Sequence, residues 1–258
     1  MKYLLILMML ALGPAESTAS GFKNHRGESF EFSISTRLIQ KPSSTVLISH
    51  GSSCLVQQQY DWANQVNKWG YNAVIIDHCS VRGIAPYTGS SVIAYTTLRP
   101  EKKVQDYVNT AEWVKVQNWH SGKIFVIGFS RGGSGVINLI DRDWHDKSGA
   151  IAQDKLKLID AAVAFYPACS PYEPPLQPSI PALFHHGKED ALSGHSKCRY
   201  SRLKDPKYQI SLYDKAGHSF DDFGPQLIIK GYVAREYNRE ADVASRKITK
   251  QFLDDNSK

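Results

Sequence analysis

The segment Lys123-Ile124-Phe125-Val126-Ile127-Gly128-Phe129-Ser130-Arg131-Gly132-Gly133 constrains this chain more than any other. Four consecutive apolar residues, three of them β-branched, run into Gly-Phe-Ser-Arg-Gly, and Val136, Ile137, Leu139 and Ile140 follow at helical spacing. A continuous apolar run marks a strand buried on both faces of a parallel sheet, and the later spacing is that of a helix with an apolar face. The segment therefore reads as strand, sharp turn, helix, with the flanking glycines expected to permit a turn too tight for a residue carrying a Cβ. A serine so placed sits at the top of a sheet with a helix N-terminus behind it, the geometry of a nucleophile elbow. Small residues around a serine also occur in ordinary loops, so the five-residue pattern takes its weight from the strand and helix on either side. A serine nucleophile needs a base, an orienting carboxylate and N–H donors for an oxyanion, and the rest of the chain is read for these.

Further strands and helices alternate around this segment. Residues 28 to 39 alternate (Phe30, Phe32, Ile34) and suit an early antiparallel edge strand. Thr45 to Ser49 is a short buried strand ending in His50-Gly51-Ser52, Tyr60 to Trp69 is a helix closed by Gly70, and Asn72 to Asp77 is the next buried strand. Residues 78 to 100 lack periodicity and read as a long loop bordering a cleft. Pro100 opens a helix expected to run to about Trp119. Beyond the elbow come strands at Leu158 to Tyr166, Pro181 to His186 and Tyr208 to Tyr213, a short helix over His195 to Leu203, and a last helix over Asn238 to Leu253. This alternation predicts an α/β fold, a mostly parallel central sheet with helices on both faces, whose ligand sits beyond the carboxyl ends of the strands.

The first residues read differently. Lys2 precedes an apolar run from Tyr3 to Leu12, Gly13-Pro14 break it, and Ser17-Thr18-Ala19 supplies small residues, so residues 1–19 are expected to be a secretory signal cut after Ala19, leaving residues 20–258 as a single domain. Ten apolar residues are too few to cross a hydrocarbon core of about 30 Å, so no stable membrane insertion is expected. The expected location is the periplasm or the exterior. There, the four mature cysteines (Cys54, Cys79, Cys169, Cys198) are candidates for two disulfides, with three possible pairings. No closely spaced Cys pair or Cys/His cluster suggests a metal. The net charge of +6 is spread along the chain and mixed with acids at helical spacing, which reads as solvated faces and not as a nucleic-acid surface.

Four strand ends carry candidate chemistry in the order His50-Gly51-Ser52, Ser130, Asp190, His218. Nucleophile, acid, base in that order is the order of the α/β-hydrolase fold. Asp190 follows the strand ending at His186, with Glu189 as its rival, and His218 lies in the loop where the base must fall. His185 and His186 read as packing or cleft-lining residues, and His50 as a structural residue that satisfies loop backbone. The oxyanion donors are expected to be the backbone N–H groups of Arg131 and Ser52. Arg82 and Arg131 are either structural ion pairs or a preference for anionic substrates. The connection from Pro167 to Ile180 holds five prolines, which disfavours a helical lid and points to short acyl groups, roofed by Tyr87 to Tyr95 and Phe220 to Tyr232.

With these residues in place the chain resembles the dienelactone hydrolase family of the α/β hydrolases over nearly its whole mature length. The matching segments are His50-Gly51-Ser52, Gly70-Tyr71 with Ile76-Asp77 and Arg82-Gly83, Gly128 to Gly133, Phe165 to Cys169, Gly187 to Cys198, and Ala216 to Asp221, with a late helix from Tyr237-Asn238 to Leu253. The namesake enzymes carry a cysteine at the elbow, where this chain has Ser130, so the resemblance implies a general esterase-like relative. It also implies that Cys169 and Cys198 lie close together. Because Cys54 and Cys79 follow the two strands flanking the first helix, the expected bridges are Cys169–Cys198 and Cys54–Cys79. The function expected is hydrolysis of a small carboxylic ester or lactone through an acyl-enzyme, with no cofactor and with oligomeric state left open. The alternatives are a serine peptidase on the same fold and a non-catalytic binding protein on a hydrolase scaffold.

Overall fold

The computed structural model describes residues 16–19, 32–85, 98–141, 151, 153–168, 179–194, 198, 205–229 and 231–258. The strands are β1 (Glu16–Ala19), β2 (Ser33–Arg37), β3 (Ser43–Ser49), β4 (Asn72–Asp77), β5 (His120–Phe129), β6 (Ala161–Phe165), β7 (Ala182–Gly187) and β8 (Tyr208–Tyr213). They form one eight-stranded sheet in the order β1-β2-β4-β3-β5-β6-β7-β8. Neighbours are parallel from β4 to β8, while β2 is antiparallel to β4 and β1 to β2. A separate antiparallel pair, β9 (Leu227–Ile229) and β10 (Tyr232–Arg235), follows the main sheet and was not foreseen from the sequence. The helices are α1 (Gln57–Lys68), α2 (Pro100–Lys115), α3 (Arg131–Ile140), α4 (Gln153–Leu156) and α5 (Arg239–Asp255).

The unbroken apolar runs follow from helices covering both faces of the sheet. Alternate residues of one strand enter opposite cores: Leu47, Val74, Ile124 and Val126 pack with Val104, Val108 and Val136 of α2 and α3. Their neighbours Val46, Ile48, Ile75, Phe125 and Ile127 pack with Trp62, Val66, Phe252 and Leu253 of α1 and α5. The ends of the helices are marked by local chemistry. Gly70, at φ +96°, follows α1, and the Asn238 side chain accepts from the Ala241 N–H at 3.1 Å to cap α5.

Two expectations are corrected, and of the two readings of Arg82 the structural ion pair is borne out. The second helix stops at Lys115 instead of Trp119, because the chain turns there and lays Trp119 back against Trp113, ring centroids 5.6 Å apart. Glu16–Ala19, assigned by sequence to the leader, pair as β1 with β2, so the strand expected at the edge lies one place inside it. Cleavage after Ala19 would remove β1 and return β2 to the edge. Arg82 is an ion pair: both its terminal nitrogens donate to Asp106, at 2.7 and 2.9 Å.

Cys54 and Cys79 form a disulfide, Cα atoms 5.8 Å apart, that ties the loop after β3 to the end of β4. Cys198 is also disulfide-bonded, while its expected partner Cys169 lies outside the described residues. So do Tyr87 to Tyr95 of the expected roof, most of the proline-rich connection, most of the expected 195–203 helix, and Phe30. Among the described residues no helix is long and apolar enough to cross a membrane.

Candidate active site

β5 delivers Ser130 onto a turn whose backbone is held at φ 50°, ψ −113°, before α3 begins at Arg131. The left-handed φ belongs to the serine itself, an uncommon conformation for a residue with a Cβ and a store of strain. The flanking glycines serve a different purpose from the one their presence suggested. A Cβ on Gly128 would meet the Gly132 carbonyl oxygen at 2.4 Å, and one on Gly132 would meet the Ser49 carbonyl oxygen at 2.6 Å. They are needed for close approach of backbone to backbone, which clamps the elbow against β3. The Ser130 N–H donates to the Phe165 carbonyl at 2.9 Å and fixes the turn to β6.

The loops after β7 and β8 converge on this serine. His218 Nε2 lies 2.9 Å from Ser130 Oγ, and His218 Nδ1 lies 2.8 Å from Asp190 Oδ2. Asp190 is buried, and its Oδ1 accepts from the N–H groups of Leu192 (3.0 Å) and Ser193 (2.8 Å). On the other oxygen, Oδ2, the Ser193 hydroxyl donates and His186 Nε2 approaches to 3.2 Å. Burial alone would raise the Asp190 carboxyl, but hydrogen bonds from His186, His218 and Ser193, with the charge of His218, outweigh it and hold the group well below the usual carboxylate range. Glu189, the rival by sequence, is exposed.

His185 and His186, alike in sequence, separate here. His185 is a packing residue, bridging Tyr213 Oη (2.7 Å) and Thr249 Oγ1 (2.9 Å), with burial lowering its pKa to about 3. His186 instead supports the acid. Its involvement, and that of Ser193, were missed by sequence reasoning. The Asp-x-x-Ser spacing of Asp190 and Ser193, a local turn motif in which a carboxylate caps backbone N–H groups, was the available signal.

Beneath the loop carrying Gly51 and Ser52 lies a buried polar network. His50 accepts from the His78 N–H at 3.0 Å, as the structural reading of His50 requires. His78 joins Ser49 Oγ (2.9 Å) to Asp106 (2.6 Å). The fully buried Lys103 donates to the His50 carbonyl at 3.4 Å, and burial lowers its pKa to about 7. This network sets the loop close against the elbow: a Cβ on Gly51 would lie 3.1 Å from Ser130 Cβ. Ser52 borders the same small cavity, about 90 Å³, as Ser130, His218, Tyr166, Gln58, Leu227 and Arg235, and Arg131 is the first residue of α3. Among the described residues, His50, Asp77 and Cys79 bring ligand-type atoms within 4.8 Å of one another, but the Cys79 sulfur is committed to the disulfide.

A second cluster adjoins His218. Asp221 is fully buried, and Trp62 Nε1 (2.6 Å), Gln58 Nε2 (3.0 Å) and Tyr166 Oη (2.8 Å) all donate to it. Burial raises its pKa to about 6 despite these bonds. Sequence reading gave Asp221 no role.

The pattern of the dienelactone hydrolase family matches residues 36–257. The chain belongs to that family. No curated protein matches it. Among solved structures, a dienelactone hydrolase-like promiscuous phosphotriesterase from metagenomic libraries is similar at 16% identity and TM-score 0.68, covering 94% of this chain and 99% of its own. A dienelactone hydrolase from Anabaena variabilis has 13% identity and TM-score 0.63, covering 95% and 99%. The esterase Pf2001 of Pyrococcus furiosus has 16% identity and TM-score 0.62, covering 95% and 94%. At these identities the structural likenesses speak for the α/β-hydrolase fold. Membership of the dienelactone hydrolase family makes the chain an enzyme, a hydrolase of esters, which sets aside the non-catalytic binding protein.

Proposed function

We propose that this dienelactone hydrolase relative cleaves a small carboxylic ester or lactone by a Ser130-His218-Asp190 triad. The observation that carries this reading is the continuous chain from Ser130 Oγ to His218 Nε2 (2.9 Å) and from His218 Nδ1 to Asp190 Oδ2 (2.8 Å). In it, Ser130 Oγ attacks the carbonyl carbon while its proton passes to His218 Nε2. The N–H groups of Ser52 and Arg131 hold the oxyanion of the tetrahedral intermediate, whose collapse expels the alkoxide with the proton from His218. Water, deprotonated by His218, then releases the acid and regenerates the serine. Asp190 holds the Nδ1–H tautomer and balances the imidazolium charge.

The small cavity favours short acyl groups. Arg82, spent on Asp106, lends nothing to an anionic substrate. The disulfide Cys54–Cys79 and the apolar leader support a secreted or periplasmic enzyme of one domain. Nitrophenyl esters from acetate to palmitate test the substrate reading: turnover should peak at the short end, and activity that climbs with chain length at an oil interface would overturn it.

A further inference from the structure

We propose that Asp221 is a positioning residue of the reaction: donors from two distant segments converge on its buried carboxylate, fixing the Tyr166 ring against the His218 imidazole and tying the base loop to the N-terminus of α1. The inference rests on His218 being the base.

The geometry is as follows. The Tyr166 ring packs on His218 with centroids 4.6 Å apart. Tyr166 sits at φ 35°, a strained conformation for an aromatic residue, and such strain persists only where surrounding contacts over-determine it. Two bonds do so: its N–H to the His185 carbonyl (2.6 Å) and its hydroxyl to Asp221 Oδ1 (2.8 Å). From the same carboxylate a polar chain runs the other way. Gln58 Nε2 donates to Asp221, Gln59 Nε2 donates to Gln58 Oε1 at 3.0 Å, and Gln59 Oε1 accepts from the Val56 N–H at 3.0 Å. Val56 ends the loop that carries Ser52. The two loops that must keep register around Ser130 are thus joined through one carboxylate.

That carboxylate titrates in a useful range. Its three direct partners are neutral. From α5, Arg246, stacked 4.5 Å over the Trp62 ring, favours ionisation, while Asp242 opposes it; Asp222 acts on Tyr166, and His218 faces the ring of Tyr166. Burial dominates, and the proton is held up to about pH 6. A protonated Asp221 must donate from one oxygen, so it no longer accepts from all three donors. Turnover on the acid side should then fall with protonation of Asp221 in addition to loss of the base, steepening log kcat against pH toward a slope of two over about two pH units below pH 6, until the roughly 10²-fold loss due to Asp221 is complete.

The test is kcat and KM for nitrophenyl acetate from pH 4 to 9 in the wild type, Asp221→Asn and Tyr166→Phe, with far-UV circular dichroism as a check on folding. Asp221→Asn should lower kcat about 10²-fold, the scale of a small misplacement of catalytic groups, with KM nearly unchanged and the acid slope reduced to one. Tyr166→Phe keeps the ring and should lose several-fold. If Asp221→Asn does not fold, the wild-type slope and Tyr166→Phe decide the matter: a one-proton wild-type limb overturns the inference. Wild-type kcat and slope in a folded Asp221→Asn whose Ser130 still takes a fluorophosphonate overturns the inference alone. Full turnover by Ser130→Ala overturns the triad and the inference with it.

Discussion

Asp190 and Asp221 are both buried, both within hydrogen-bonding range of three or more donors and both in the loops that surround His218, yet their carboxyls are displaced in opposite directions. Burial raises both. The outcome is decided by the kind of donor: Asp190 faces two histidines, able to carry charge, and two backbone N–H groups, while Asp221 faces an indole, an amide and a phenol. In these two acids the balance against burial decides: hydrogen bonds from two histidines and Ser193, with the charge of His218, outweigh it at Asp190, while the bonds from Trp62 and Tyr166 and the charge of Arg246 do not at Asp221. One carboxylate is therefore a fixed charge for the triad, and the other can take up a proton near neutrality.

The comparison breaks first at Asp190. Asp190→Asn should lower kcat by on the order of 10⁴, because the amide favours the wrong tautomer of His218, measured as steady-state ester turnover. Asp221→Asn comes next, at about 10². It also separates the two acids in stability. Asp221, with its pKa raised, contributes stability that is full below about pH 4 and lost as the pH rises to about 6. That loss is up to about 3 kcal/mol. Asp190, with its pKa depressed, contributes stability present above about pH 4 and lost only on further acidification. Urea unfolding between pH 4 and 7 should show a decline in the wild type that is missing in Asp221→Asn. Ser193→Ala should cost only about five-fold in kcat, near 1 kcal/mol for one hydrogen bond, because Asp190 keeps its backbone donors and both histidines. Away from both acids, Cys79→Ser should remove about 3 kcal/mol of stability, from a bridge spanning 25 residues.

What could be read in the sequence was local or periodic. The buried strands, the helix cap at Gly70, the start of the last helix near Asn238, and the strand-end positions of Ser130, Asp190, His218 and the Cys54–Cys79 pair follow from patterns within a few residues. Asp221 could not be read this way, since its donors lie 159, 163 and 55 residues away in sequence and share no pattern with it. His185 and His186 were indistinguishable for a related reason: strand alternation sends them to opposite faces, and only the neighbouring elements say which face holds the acid. The elbow glycines were found for the wrong reason, because sequence suggests conformational freedom where the fold demands contact between backbones. The β9–β10 pair carried no turn signal stronger than Gly231.

The most direct measurement is peptide mapping of the enzyme after reaction with a fluorophosphonate. A single phosphonyl adduct on Ser130, absent in Ser130→Ala and much slowed in His218→Ala, is the result predicted. An adduct elsewhere, or no adduct on an enzyme that hydrolyses esters and retains turnover in Ser130→Ala, would contradict the triad.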